Sequence, residues 1–186
     1  MWSSRESCNL LILQEFDAGF DKRSNSNWLL VFDRDNTLNQ DYGYTHKVED
    51  FSWKSGVPEL LASLAPLQLN FAIASNQSGI GKGLYSVDAA KTFNSHLVSK
   101  AREFGIDFSV IVFCPHDPKL DLICDCRKPS SGMLIFLSEY FSINLNRMIF
   151  IGDSSVDKMA AEGAGLAFLD INEISLFQSI IKRVNP

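Results

Sequence analysis

The chain has 186 residues, the usual length of a single domain. Hydrophobic residues make up 46% of it, charged residues 21%, and the formal net charge is −5. This composition is typical of a globular protein and offers no broad basic surface for nucleic acid. The sequence contains neither an apolar run long enough to cross a membrane nor a secretory signal. We therefore expect a cytoplasmic, single-domain protein that binds neither nucleic acid nor membrane.

Residues 1–27 precede the regular part of the sequence. They contain a short apolar run, 9–13, and a polar segment, 21–27. We interpret residues 1–27 as an N-terminal extension that packs on the domain or helps it to dimerise, and a frayed tail is the alternative. Residues 28–186 are expected to form the domain, as a monomer or a weak dimer.

From residue 28 onward, short apolar runs alternate with segments of helical periodicity. Buried strands are predicted at 28–32, 69–74, 108–113, 148–151 and 166–169. Helices are predicted at about 57–64, 87–104, 131–140, 154–162 and 174–183. Gly163 and Gly165 are expected to stop the fourth helix. The alternation predicts an α/β fold in which a central parallel sheet lies between two layers of helices, a Rossmann-like three-layer sandwich.

Acidic side chains follow two of the predicted strands. Asp33 and Asp35 come directly after the first strand, and an acidic N-cap would explain one of them but not both. Two carboxylates on the same side of a strand end repel each other unless a cation lies nearby, and Mg²⁺ prefers such oxygen ligands. Asp153 follows the fourth strand, where a third ligand is expected. Asp157 is either a further ligand or a complement to the helix dipole.

Polar and basic side chains are predicted at the same edge of the sheet. Ser75 and Asn76 end the second strand and can donate hydrogen bonds to phosphate oxygens, although such residues are also common in ordinary turns. Arg127 and Lys128 precede the third helix, where a cation could neutralise a transferring phosphoryl group. On their own they would be solvated surface residues. Acids, a hydroxyl, a lysine and another acid in this order indicate phosphoryl transfer to an aspartate.

Three cysteines and one histidine lie close together in the sequence. Cys114, His116, Cys124 and Cys126 form a complete tetrahedral set, which is typical of a closed, structural metal site with zinc as the default metal. The alternative is a group of buried, reduced cysteines with His116 in an ordinary turn. Because Cys126 directly precedes Arg127, a metal in loop 114–126 would also position the basic residues.

These segments resemble the haloacid dehalogenase superfamily of aspartyl phosphotransferases, from about residue 28 to residue 169. The motifs that carry the resemblance are DRDNTLN at 33–39, DYGY at 41–44, NQSGI at 76–80, GLY at 83–85, CPH at 114–116, CDCRKP at 124–129, GML at 132–134 and GD at 152–153. The branch that they match looks like the D-glycero-D-manno-heptose 1,7-bisphosphate phosphatases, followed by the histidinol-phosphate phosphatases. Members of this branch lack a large cap domain, and the chain has no room for one.

The resemblance also implies roles for individual residues. It implies that Asp33 is the nucleophile that becomes phosphorylated, and that Asp35 protonates the leaving oxygen and later activates water. Mg²⁺ would be held by the Asp33 carboxylate, the Asp35 backbone carbonyl and Asp153. Ser75 and Lys128 would hold the phosphoryl oxygens.

The resemblance places further residues near the rest of the substrate. Arg127 and the 39–44 loop, which includes Asp41 and Tyr44, are implied to face it, and Asn76 belongs to the phosphate-binding motif. The chain departs from the family at Asn36, Ser75, Lys82 and Ser154, where the family usually has glycine, threonine, arginine, and lysine or arginine. These departures leave the sugar specificity open.

The sequence therefore predicts a Mg²⁺-dependent phosphatase that acts through an aspartyl-phosphate intermediate on a small phosphorylated metabolite. Heptose 1,7-bisphosphate is favoured over histidinol phosphate, and a nucleic-acid end phosphatase ranks below both because a basic surface is missing. A non-enzymatic receiver that stores phosphate on aspartate is disfavoured because Asp35 would promote hydrolysis. A zinc-stabilised binding module is disfavoured because Asp33, Asp35, Lys128 and Asp153 are all retained.

Overall fold

The computed structural model describes residues 26–120, 124–173 and 175–184, together with the backbone of residues 11–13. The strands are β1 (Leu11–Leu13), β2 (Leu29–Phe32), β3 (Asn70–Asn76), β4 (Phe108–Cys114), β5 (Met148–Gly152) and β6 (Ala167–Asp170). The α-helices are α1 (Val57–Leu64), α2 (Ser78–Gly81), α3 (Val87–Arg102), α4 (Gly132–Phe141), α5 (Ser155–Ala164) and α6 (Leu176–Val184). Short 3₁₀ helices cover Val48–Asp50, Ala65–Leu67 and Leu145–Arg147.

The strands form one six-stranded sheet in the order β1-β4-β3-β2-β5-β6. Strands β2 to β6 pair with one another in parallel, which confirms the predicted parallel sheet. The sixth strand, β1, pairs antiparallel with β4 and was not predicted. Part of the N-terminal extension therefore belongs to the sheet, while residues 1–10 and 14–25 of the extension lie outside the described residues.

The central strand β2 shows why the fold has three layers. All four of its side chains are completely buried, and they alternate between the two faces of the sheet. Leu30 and Phe32 belong to a core that also contains side chains of α1, α3 and α6. Leu29 and Val31 belong to a second core, which contains side chains of α4 and α5. A strand that is apolar on both faces is stable only when helices cover both, as the sequence predicted.

Helix α5 begins and ends with clear capping interactions. At its N-terminus, Ser154 and Asp157 form a capping box, in which each side chain pairs with the backbone of the other residue. At its C-terminus, Gly165 adopts a left-handed conformation with φ of 74°. The helix continues through Gly163 to Ala164, so the prediction that Gly163 would help to stop it was wrong.

The two longest connections between the described elements are residues 33–56 and 115–131. Where the structure describes them, they contain turns, two isolated β-bridges and one 3₁₀ helix, and neither forms a cap domain. In the same part of the chain, every helix is too short or too polar to span a bilayer.

Candidate active site

A buried lysine joins two buried carboxylates at the carboxyl ends of β2 and β5. Asp33 directly follows β2, and its backbone N–H donates to the carbonyl of Ile151 at 2.8 Å. The ammonium of Lys128 lies 2.6 Å from Asp33 Oδ1 and 2.7 Å from Asp157 Oδ1. It also donates to the carbonyl of Ala74 at 3.0 Å. Asp33 and Lys128, which lie 95 residues apart, are thus brought into direct contact.

The charges in this cluster alter the pKa values of its members. Burial raises the pKa of Asp33 to about 7; the ammonium of Lys128 opposes this increase, and the carboxylates of Asp157 and Asp35 add to it. Burial also raises the pKa of Asp153, with a further increase from Asp157. Although burial lowers the pKa of Lys128, Asp33 and Asp157 together raise it above its usual value. The cluster therefore holds more negative charge than Lys128 can balance.

The excess of negative charge fits a divalent cation. Asp33, Asp153 and Asp157 each provide a carboxylate oxygen, and these oxygens lie within 4.8 Å of one another. Such an all-oxygen set is the kind that Mg²⁺ prefers. The hydroxyl of Thr37 donates to Asp153 Oδ1 at 3.3 Å. Asp157, for which the sequence left two roles open, lies in the acidic cluster and in the capping box of α5.

Asp35 is surrounded by nitrogen donors. Nε of Arg34 donates to Oδ1 at 3.0 Å, and Nη2 donates to Oδ2 at 2.9 Å, so the guanidinium binds the carboxylate with two parallel bonds. Nε2 of Gln77 donates to Oδ2 at 2.7 Å and also to the hydroxyl of Ser75 at 2.9 Å. Gln77 in turn accepts a hydrogen bond of 2.6 Å from the hydroxyl of Tyr85. Asp35 is held firmly in one orientation.

Arg34 itself is completely buried. Besides Asp35, its guanidinium donates to the carbonyl of Thr45 at 2.8 Å and to Asn94 Oδ1 at 3.1 Å. The guanidinium also lies 4.7 Å from the centroid of the Phe93 ring. We did not predict the contacts of Arg34 and Gln77 with Asp35. The position of Arg34 between Asp33 and Asp35 was a signal, but its partners in α3, Phe93 and Asn94, are 59 and 60 residues away in sequence.

The end of β3 is joined to the segment that carries Lys128. Asn76 Nδ2 donates to the carbonyl of Lys128 at 3.0 Å, and the backbone N–H of Lys128 donates to Asn76 Oδ1 at 3.0 Å. The Asn76 amide thus fixes the backbone at residue 128. Ser75 is also buried, and it accepts the hydrogen bond from Gln77. Ser75, Asn76 and Lys128 are therefore brought together as neighbours.

The predicted substrate loop lies at the surface. Asp41 Oδ1 accepts hydrogen bonds from the backbone N–H groups of Gly43 and Thr45 and from the hydroxyl of Thr45, so this oxygen orders its own loop. Tyr44 is 42% exposed, and the ammonium of Lys82 donates to its hydroxyl and lies 4.8 Å from its ring centroid. Tyr44 and Lys82 therefore form a pair on the exposed side of the loop.

The four predicted zinc ligands converge in space. Their sulfur and nitrogen atoms lie within 4.8 Å of one another, and the distances from Cys124 Sγ to His116 Nδ1 and Cys126 Sγ are 3.1 and 3.2 Å. Three further pairs among the four atoms are 3.3–3.5 Å apart. The ligand–ligand edges of a tetrahedral zinc site are roughly 3.5–3.8 Å, so a metal ion would fit after a small expansion of the set. Burial raises the pKa of the Cys114 thiol to about 12, and a bound metal would displace its proton.

Backbone contacts connect this cysteine–histidine cluster to the acids. The backbone N–H of Gln77 donates to the carbonyl of Cys114 at 2.7 Å, and that of Gly81 donates to Pro115 at 2.8 Å. Nη1 of Arg127 donates to the carbonyl of His116 at 3.4 Å. The segment that carries Gln77 and the segment that carries Lys128 are thus both hydrogen-bonded to the cluster.

Comparison with known proteins shows close relatives of this chain. Residues 28–169 match the family model of the polynucleotide kinase 3 phosphatases. A protein from Pseudomonas putida, named D-glycero-beta-D-manno-heptose-1,7-bisphosphate 7-phosphatase, is 37% identical over 138 residues, which cover 74% of this chain and 78% of the relative. The protein of the same name from Vibrio cholerae is 33% identical over 142 residues, which cover 74% of this chain and 76% of the relative.

Solved structures of phosphatases are also similar to this chain. The D,D-heptose 1,7-bisphosphate phosphatase from B. bronchiseptica, complexed with magnesium and phosphate, is 29% identical with a TM-score of 0.70, over 76% of this chain and 78% of the other. A protein from Mesorhizobium loti, described as a haloacid dehalogenase-like phosphatase, has the same fold, with a TM-score of 0.81 at 21% identity. The match covers 97% of this chain and 95% of the other.

The fold and these relatives define a haloacid dehalogenase-type phosphatase, which is a phosphoric monoester hydrolase. Within that class, the chain belongs to the polynucleotide kinase 3 phosphatase family, and it is similar to the named heptose bisphosphate phosphatases. The superfamily and enzyme class predicted from the sequence are confirmed.

Proposed function

We propose that the protein is a Mg²⁺-dependent phosphatase that removes the 7-phosphate of D-glycero-D-manno-heptose 1,7-bisphosphate through an aspartyl-phosphate at Asp33. The relatives of that name, at 30–37% identity, support the substrate. The observation that carries the chemistry is the 2.6 Å contact between Asp33 and the buried ammonium of Lys128, in a cluster with excess negative charge. An anionic nucleophile attacks an anionic phosphate only where cations neutralise both.

In the first half-reaction, a carboxylate oxygen of Asp33 forms a bond to phosphorus while the bond from phosphorus to the sugar oxygen breaks. Lys128 neutralises charge on the phosphoryl group, and Asp35 gives its proton to the leaving oxygen. In the second half-reaction, Asp35 takes a proton from the water that attacks phosphorus, which releases phosphate and restores Asp33. The hydrogen bonds from Arg34 and Gln77 hold the Asp35 carboxyl group in one place for both proton transfers.

A bound Mg²⁺ would supply positive charge next to the transferred phosphoryl group. Asp33, Asp153 and the backbone carbonyl of Asp35 are the groups that we expect to hold it. Asp157 lies close enough to act as a further ligand or to neutralise Lys128 when phosphate is absent. We assign zinc to Cys114, His116, Cys124 and Cys126 because a closed set of three thiolates and one imidazole is typical of a structural zinc site.

We also propose a cytoplasmic location and a monomeric or weakly dimeric state. A cluster of thiol ligands is typical of a reducing compartment, which supports the location. The small phosphorylated sugar is the partner that the site requires. Nucleic acid is a less favourable substrate because the net charge of −5 would repel its backbone.

The test is a phosphate-release assay with Mg²⁺ across heptose 1,7-bisphosphate, histidinol phosphate and a 3′-phosphorylated oligonucleotide. We expect kcat/KM for the heptose bisphosphate to exceed the others by at least about a hundredfold, and we expect Asp33→Asn to abolish release from all of them. The family model is named for a nucleic-acid phosphatase, so the oligonucleotide is the informative competitor. Preference for histidinol phosphate or for the oligonucleotide would overturn the proposed substrate.

A further inference from the structure

Lys54 is a partly exposed cation bound to the loop that follows Asp33, and the catalytic scheme does not use it. Its ammonium donates to the backbone carbonyl of Asn36 at 2.7 Å, between Asp35 and Thr37 in sequence. Within the described part of the chain, Lys54 forms no ion pair with a carboxylate. An ammonium has three N–H groups, so Lys54 can still donate to an anion that enters the site.

The backbone fixes Lys54 in this position. Its N–H donates to the carbonyl of Leu38 at 2.9 Å, and the neighbouring Trp53 forms a β-bridge with Asn39. The two acceptors, the carbonyl groups of Asn36 and Leu38, belong to the loop that follows the nucleophile. Lys54 therefore stays attached to the site loop, and its side chain is only partly exposed.

The loop to which Lys54 is bound also contacts Asp153. Thr37, the residue after Asn36, donates through its hydroxyl to Asp153 Oδ1 at 3.3 Å. The residue that follows Asp153 is Ser154, which is uncharged and whose hydroxyl pairs with Asp157. The cation bound to this loop is thus supplied by residue 54, from a different segment of the chain.

The other cations of the site are already engaged. Lys128 lies between Asp33 and Asp157, and Arg34 binds Asp35. Arg127 donates to the carbonyl of His116, beside the cysteine–histidine cluster. The ammonium of Lys82 is held by the hydroxyl and ring of Tyr44. Whereas Lys128 is buried beside the nucleophile, Lys54 lies at the partly exposed rim, next to the exposed Asn36. A rim cation is suited to a second anionic group of the substrate, outside the phosphate that reacts.

We propose that Lys54 is a specificity-determining residue that binds the phosphate which the enzyme does not remove. This inference rests on the proposed function, because it requires a substrate with two phosphates. A hydrogen bond from a charged donor to a phosphate oxygen adds binding energy that a substrate with one phosphate cannot obtain.

The test compares heptose 1,7-bisphosphate with heptose 7-phosphate, in which the reacting phosphate is the same. For Lys54→Met we expect KM for the bisphosphate to rise about tenfold, as for loss of one charged hydrogen bond, with kcat within about twofold of the wild type. KM for the monophosphate should change by less than about twofold. Lys54→Arg should restore most of the difference, because it keeps the charge. Lys47→Met, at an exposed position of the same connection, should behave like the wild type.

Each outcome bears on one of the two proposals. An equal rise in KM on both substrates in Lys54→Met, or no rise on either, would overturn the role of Lys54. The proposed function would still stand if the wild-type enzyme prefers the bisphosphate. If the wild-type enzyme does not prefer the bisphosphate, the proposed function fails, and the role of Lys54 fails with it. Thermal melting of each variant shows that the comparison is made on folded protein.

Discussion

Arg34 illustrates how a fully buried charge can serve a neighbouring side chain. Removing a guanidinium from water is costly, and it is tolerated here because Nε, Nη1 and Nη2 all donate to acceptors and the Phe93 ring packs against the group. Two of its hydrogen bonds end on Asp35, which gives this carboxylate a single orientation. We therefore regard Arg34 as a positioning residue for Asp35.

Loss of the Arg34 guanidinium should slow turnover. In Arg34→Met, Asp35 loses two of its donors, and we expect kcat to fall about a hundredfold with little change in KM, because the proton-transfer geometry is lost. Arg34→Lys should recover little, since an ammonium cannot reproduce the planar fork. Steady-state kinetics and the pH profile of kcat provide the measurement.

Asn94→Ala is the matched control for Arg34. It removes the acceptor on the far side of the guanidinium, in α3, and leaves the contact with Asp35 intact. Both variants should lower the melting temperature, but Asn94→Ala should keep kcat within about threefold of the wild type. Equal losses of kcat in the two variants would mean that Arg34 acts only through the stability of the fold.

At the scale of elements, the loop 114–126 connects the cysteine–histidine cluster to the segments that carry Gln77 and Lys128. It receives a hydrogen bond from the backbone of Gln77 and leads directly into Arg127 and Lys128. Gly81 packs tightly against the loop: an added Cβ would lie 2.7 Å from the carbonyl oxygen of Pro115. The cluster therefore helps to position both Gln77 and Lys128.

Disruption of the cysteine–histidine cluster should weaken catalysis and stability together. Metal analysis of the wild type should find about one zinc ion per chain. Cys124→Ser should lose this zinc, lower the melting temperature and reduce kcat by at least about tenfold in saturating Mg²⁺, because the segment around Lys128 is no longer fixed. Leu120→Ser, at an exposed position of the same loop, should retain zinc and activity. Metal-free protein that is folded and fully active would show that the cysteines only pack.

The elements also show what could be predicted from the sequence. The five parallel strands and their five helices lie within two residues of the predicted bounds, because apolar runs and helical periodicity reflect burial on known faces. Strand β1 has only three residues and α2 only four, which is too short for a periodic pattern. Both depend on contacts with distant segments, which local sequence does not reveal.

For the whole molecule, the parallel sheet explains why the predicted site residues come together. Asp33, Ser75 and Asp153 follow or end β2, β3 and β5, which are adjacent in the sheet order β3-β2-β5. Their positions could be predicted because parallel strands end at one edge. Three other features could not be predicted, because each depends on loop conformation or on partners far away in sequence. They are the orientation of Asp41, the hydrogen bonds of Arg34 and Gln77 to Asp35, and the contact of Asn76 with Lys128.

The central claim is that Asp33 carries the phosphoryl group during turnover. The most direct measurement uses Asp35→Asn, in which hydrolysis of the phosphoenzyme is slowed, mixed with substrate labelled in the phosphate that is removed. After an acid quench, peptide mapping should find the label on Asp33, and the label should be absent from the Asp33→Asn, Asp35→Asn double variant. Release of labelled phosphate without any labelled Asp33, or label on another residue, would contradict the account.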